Sequence, residues 1–175
     1  MSFPNLHDIL TNDDIESLSE ANVSKEVLDS PYRYSGKMFY PLMTCVYNFS
    51  HKCMRELVEN KGCDVNITNK QLSTPLHVAA FSKNYVALKY LLENGADVDA
   101  QDKWKRTAVF HAAHYNDFRM VRHLLTMCDV SIQDVNKNTI FTYKNVSDNM
   151  REFLESQHIA SENTEKLEPT GEVYV

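Results

Sequence analysis

Glycine and proline are scarce in this chain of 175 residues, at 4 and 5. That excludes collagen-like and low-complexity organisation, which depend on those residues. No run of 18 apolar residues occurs, so nothing reads as a membrane-spanning helix. The opening MSFPNLHDILTNDD has no basic segment ahead of an apolar core. No secretory signal is readable there, and the expected location is cytoplasmic, nuclear or both. Basic charge is not in excess: 18 Lys and Arg stand against 24 Asp and Glu, a net charge of −6. Without a basic stripe, nucleic acid is not an expected partner. The four cysteines, Cys45, Cys53, Cys63 and Cys128, form no C-x-x-C pair, which weakens a zinc reading and favours reduced thiols. Phosphate-loop, nucleophile-elbow, HExxH and dinucleotide-binding motifs are all missing, so the expectation is no catalytic residue, no metal and no cofactor.

What is present is a repeat. The segment from Tyr40 (YPLMTCVYNFSHKCMRELVENKGCDVNITN) aligns with that from Thr74 (TPLHVAAFSKNYVALKYLLENGADVDAQD) and that from Thr107 (TAVFHAAHYNDFRMVRHLLTMCDVSIQD). Apolar pairs recur at Leu57/Val58, Leu91/Leu92 and Leu124/Leu125, and the units end on Asn69, Asp102 and Asp134. A period near 33 residues marks a solenoid whose units bury their apolar faces only by stacking. Pro75 suits a first helical turn. Ala79 and Ala80 let helices pack closely, Val86–Leu92 has helical apolar spacing, and Asn94-Gly95 ends that helix. Cys45, Cys53 and Cys63 align with Ala79, Ala87 and Ala96, so they read as small buried residues rather than ligands. Two short helices are expected before the repeats, the second capped by Thr11 or Asn12, and a third after Ser24.

TPLHVAA and LLENGADVDAQD resemble the signature of the ankyrin repeat family, and the resemblance runs over Phe39–Asp134. It implies an all-α solenoid of about three to four helix-turn-helix repeats with hairpin-like turns and helical caps. The expected layout is an N-terminal helical cap over 1–36, repeats over 37–70, 71–103 and 104–136, and a partial unit over 137–155. An acidic tail over 156–175 reads as disordered. Lys61 reads as a one-residue insertion, and the stretch 125–134 is one residue short.

In that family a Thr and a His tie each repeat to itself and to its neighbour. Here only the middle unit keeps both, as Thr74 and His77, and Phe110 stands at the His position of the next unit. The family grips partners with hairpin tips and with the ends of its first helices. Carried over residue by residue, the partner-binding set is Phe39, Tyr47, Lys70, Phe81, Lys103, Trp104, Arg106, His114 and Tyr115. Trp104 is the only tryptophan and lies in the polar turn QDKWKRT; exposed Trp and Arg are typical interface anchors. Tyr47, Phe81 and Tyr115 add an aromatic row suited to an acidic segment of another protein.

The expected function is therefore a non-catalytic, protein-binding regulatory or adaptor subunit that grips its partner through the concave face. Size and build resemble ankyrin inhibitors of cyclin-dependent kinases and a compact ankyrin subunit of a cell-cycle kinase complex, which implies regulation of a cell-cycle protein kinase. The alternative is a truncated inhibitor of a Rel/nuclear-factor-kappa-B-type transcription factor, with the acidic SENTEKLEPTGE segment as its support. The final Val173-Tyr174-Val175 alternates as an added strand would, offering a second contact of the kind that PDZ domains accept.

Overall fold

Among the described residues four helix pairs stand side by side, and a fifth, irregular pair closes one end. The computed structural model describes residues 6–21, 23–35 and 37–165, with side chains placed through residue 160. The first pair is α1 (Leu6–Thr11) and α2 (Ile15–Glu20), followed by the single turn α3 (Lys25–Leu28). A two-stranded antiparallel ribbon follows, β1 (Tyr32–Tyr34) and β2 (Lys37–Phe39), with Tyr32 opposite Phe39. Then come α4 (Pro41–Tyr47) with α5 (His51–Arg55), α6 (Pro75–Ser82) with α7 (Tyr85–Glu93), and α8 (Ala108–His114) with α9 (Phe118–Leu125). The closing pair is a 3-10 turn at Ile140–Thr142 and the long α10 (Asp148–Glu165). This is the all-α repeat solenoid that the family resemblance implies. Among the described residues no helix is long and apolar enough to cross a membrane.

The first helices α1, α4, α6 and α8 pack in series, each against the next. Small residues make that possible: Cys45, Ala79, Ala80, Ala112 and Ala113 are fully buried where adjacent helices meet. Proline opens α4 and α6 at a position that has no intrahelical partner for its missing N–H. Asn84 and Asp117 cap α7 and α9 by accepting from Ala87 N–H at 3.0 Å and Met120 N–H at 2.9 Å.

The backbone repeats more faithfully than the side chains. Non-glycine residues with left-handed φ fall into two series. One joins the two helices of each pair at Asp13, Phe49, Lys83 and Asn116. The other sits in each tip at Ser35, Leu72, Lys105 and Lys137. By this measure residues 6–20 form a helix pair built like the later units. Its turn also corrects the expected cap. Asp13 turns the chain at φ 58°, and Asp14 caps α2 by accepting from Ser17 N–H at 3.1 Å, so neither Thr11 nor Asn12 does so. Asp13 instead caps the next unit, accepting from Cys53 N–H at 2.7 Å.

The extra residue of the first full repeat is absorbed upstream of Lys61. Helix α5 continues as a π-helical turn over Glu56–Asn60, and Lys61 N–H reaches Glu56 C=O at 3.0 Å, which takes up one residue without a break. The short stretch after α9 has a matching cause. Gly62 and Gly95 leave the other second helices in the left-handed region, but no residue between Asn116 and Lys137 does so. At the far end, α10 runs to Glu165, so the first ten residues of the segment expected to be disordered are helical. Leu154 is buried, and His158 stacks on Phe141 with ring centroids 4.4 Å apart, which extends the helix past the last repeat. Val173-Tyr174-Val175 lies outside the described residues.

Candidate protein-binding face

Three tips are each folded around one acceptor side chain, half-buried at Asn69 and buried at Asp102 and Asp134. Asn69 accepts from Gln71 and Ser73 N–H at 2.8 and 3.1 Å. Asp102 accepts from Trp104 and Arg106 N–H at 2.8 and 3.0 Å, and Asp134 from Asn136 and Asn138 N–H at 2.8 and 2.9 Å. The tips are also joined to one another through the backbone. Lys103 N–H donates to Gln71 C=O at 2.9 Å, and Val135 N–H to Trp104 C=O at 3.0 Å. The side chains projecting from the tips are thus carried on a hydrogen-bonded ladder.

Asp102 does more than hold its own turn. Its side chain is fully buried and accepts from Arg106 Nη2 at 3.2 Å and from His111 Nε2 at 2.9 Å. Burial alone would raise its pKa, but the bonds from His111, Arg106 and Trp104 and the Arg106 charge outweigh that and lower it to about 2. Arg106 is thereby fixed beneath Trp104, with its Cζ 4.6 Å from the indole ring, and Lys103 Nζ lies 4.2 Å from the same ring. The indole thus contacts two cations and stays 40% exposed.

Thr74 and His77 are bonded to each other and, through His77, to the next tip. Thr74 N–H donates to His77 Nδ1 at 3.2 Å, with Thr74 Oγ1 2.9 Å from the same nitrogen. Nδ1 is therefore the acceptor, and Nε2–H donates to the Arg106 carbonyl of the next tip at 2.9 Å. Burial pushes the His77 pKa down to about 4, so the ring is neutral. In the following unit Phe110 is buried and packs edge-on against Tyr143 at 5.1 Å. There apolar packing replaces the polar tie.

The aromatic row is continuous. Tyr47 and Phe81 lie 6.2 Å apart, Phe81 and Tyr115 4.9 Å, and Tyr115 and His114 5.0 Å. Tyr47 and Phe81 are 54% and 44% exposed while their helices bury every residue toward the core. Two cavities open along this row. One, of about 560 Å³, is bordered by Phe39, Tyr47 and Lys70. The other, of about 320 Å³, is bordered by Phe81, Trp104, Arg106, His114 and Tyr115. Asn69 and Gln71 border both, so the second tip forms the saddle of a single trough. Lys103 stands at its edge through Trp104.

Two residues of the expected set have additional duties. Phe39 is half-buried in a cluster with His7, Tyr32 and Tyr34 at 4.8, 5.9 and 6.4 Å. His114 Nδ1 is 2.8 Å from the Asn145 carbonyl, which ties the row to the closing unit. Sequence reasoning passed over Asp102 and His111 as parts of this face. The signal was available in the recurrence of Asn69, Asp102 and Asp134 at the unit ends, a side chain able to accept from two turn amides at once.

A family model described as ankyrin repeats (3 copies) matches residues 11–102, and another, ankyrin repeats (many copies), matches residues 82–125. The chain is 39% identical over 61 residues to alpha-latrocrustotoxin-Lt1a of Latrodectus tredecimguttatus, which covers 35% of this chain and 4% of that protein. It is 38% identical over 71 residues to the serine/threonine-protein kinase VIK of Arabidopsis thaliana, covering 41% and 16%. Over 80 residues it is 36% identical to the B-cell lymphoma 3 protein homolog of Mus musculus, covering 43% and 18%. The chain thus spans less than a fifth of each of these relatives.

Proposed function

This chain belongs to the ankyrin repeat family, a protein-interaction module, and on that footing we propose that it is a non-catalytic regulatory or adaptor subunit gripping a partner through the Tyr47–Phe81–Trp104 trough. The observation that carries the reading is Trp104, in contact with both Lys103 and Arg106 on the border of an aromatic-lined cavity. Such a residue offers a large, preset contact area, and few other groups can contribute as much to an interface.

The charge pattern supports an acidic segment as the element gripped. Lys37, Lys70 and Lys103 recur every 33 residues on successive tips, and all three are exposed. Asp102 and Asp134, the carboxylates of the later tips, are buried as turn anchors. The positive groups therefore face solvent and the negative ones do not, on a chain whose net charge is −6.

Our reading assigns the partner to the protein-kinase class, with the trough acting to regulate a cell-cycle kinase. The second reading, a short inhibitor of a Rel-type transcription factor, is favoured by the acidic SENTEKLEPTGE segment after the repeats. Affinity purification from the native cells, in parallel with Trp104→Ala, separates them. The variant should keep its helical circular dichroism and melting temperature while affinity falls by about 1–4 kcal/mol. A kinase lost with Trp104→Ala upholds the first reading, and a Rel-type factor lost instead upholds the second. A variant that melts early yet binds normally would show that Trp104 is structural and the trough is misassigned.

A further inference from the structure

The second-helix side of the array carries a different surface. In α9 and the residue after it, Met120, Val121 and Leu124 are buried in the core. That leaves Arg119, Arg122, His123 and Thr126 on one stripe at i, i+3, i+4 and i+7. Tyr85 of α7 and Phe118 complete a cup of about 440 Å³ around them.

The two guanidinium groups each lie against an aromatic ring. Arg119 Cζ lies 3.7 Å from the centre of the Tyr85 ring, and Arg122 Cζ lies 5.7 Å from that of Phe153. Phe153 is itself braced edge-on by Phe118 at 5.4 Å. A cation–π contact of this kind leaves the guanidinium N–H groups available as donors. Among the described residues the ion-paired carboxylates are Asp29, Glu93, Asp102 and Asp148, and none is paired with Arg119 or Arg122. His123 lies at the same cup, with Nδ1 3.5 Å from the Tyr85 hydroxyl.

Two positioned, unneutralised forks, an imidazole and a hydroxyl ask for a compact anion with more than two acceptor oxygens. A carboxylate has two; a phosphate monoester has three terminal oxygens and near double charge. The rings of Tyr85 and Phe118 suit the carbon side of the ester. We propose that this cup is a binding site for a phosphate monoester, separate from the trough and independent of what the trough grips.

The test uses the full chain with phenyl phosphate as probe, followed by calorimetry and by the NMR signals of the arginine side chains. Saturable binding is expected, with shifts at Arg119 and Arg122. Arg122→Gln should weaken it about tenfold, as loss of a charged fork implies. Arg122→Lys, which keeps the charge and loses the fork, should also weaken it. Trp104→Ala and the remote Arg55→Gln should leave it unchanged. Inorganic phosphate binding as tightly as phenyl phosphate would support the site and identify its ligand as a free anion. Tighter binding of a phosphotyrosine or phosphoserine peptide would support it and identify a modified partner side chain. Absence of saturable binding, or equal binding by Arg122→Gln with an unchanged melting temperature, would overturn the proposal.

Discussion

Acidification should destabilise the array by about 3 kcal/mol through His77. The ring is 2% exposed, and its pKa falls from the ordinary 6.5 to about 4, with burial as the main cause. Geometry explains the resistance to protonation: Nδ1 already accepts from Thr74 N–H at 3.2 Å, so a proton there would set two donors against each other. Arg106 and His111 oppose a further positive charge nearby. The unfolded chain takes up the proton below its ordinary pKa and the native state does not until about 4. Stability is therefore complete above the ordinary value, declines through the interval between the two, and loses nothing more from this group below it. Each pKa unit is worth about 1.4 kcal/mol, which gives the total. Urea unfolding followed by circular dichroism at a series of pH values reads the decline directly. The matched series on His77→Gln should be flatter across the same interval, although that variant starts from a lower stability. Parallel decline in the two proteins, or an NMR titration placing His77 near its ordinary pKa, would refute the argument.

Leu91 is fully buried in α7, so Leu91→Ala should lower global stability by about 2–5 kcal/mol. Hydrogen exchange should show the loss in neighbouring repeats as well, because each repeat is completed by its neighbours. The thiols of Cys45, Cys53 and Cys63 are buried, and burial raises the pKa of each. Ellman's reagent should reach the half-buried Cys128 first, although its pKa is raised to about 11, and should reach the other three only as the array unfolds.

The array was legible where side chains repeat. Pro41, Pro75, the alanine pairs and the leucine pairs recur because close helix packing permits little else, and the three full units follow from them. The first helix pair was not legible as a unit. Of the TPLH pattern its inner helix LHDILT keeps only Leu6-His7, at the places of Leu76-His77, and its likeness to the others lies chiefly in the φ of Asp13. The site divides in the same way. Tyr47, Phe81, Trp104 and Tyr115 were readable because aromatic residues at solvent-facing repeat positions need a reason to be there. The cluster that half-buries Phe39 joins it to His7, 32 residues away in the chain, and only the folded ribbon brings them together. The extra residue near Lys61 was visible in the alignment, but its conversion into a π-helical turn depends on which hydrogen bonds the helix exchanges.

The left-handed turns have a consequence for how surface charge is distributed. Among the described residues, eight non-glycine residues hold that conformation, at about 1 kcal/mol each relative to a residue free of the Cβ clash. Glycine would relieve the strain, yet the chain has only 4. Three of the eight are lysines: Lys83, Lys105 and Lys137. A glycine at Lys105 would relax the tip that carries Trp104 but would remove a cation from beside it. Local backbone comfort is thus exchanged for an exposed charge at points where every repeat must turn, and these bends are the positions at which the array can be re-tuned toward other partners with its core left untouched.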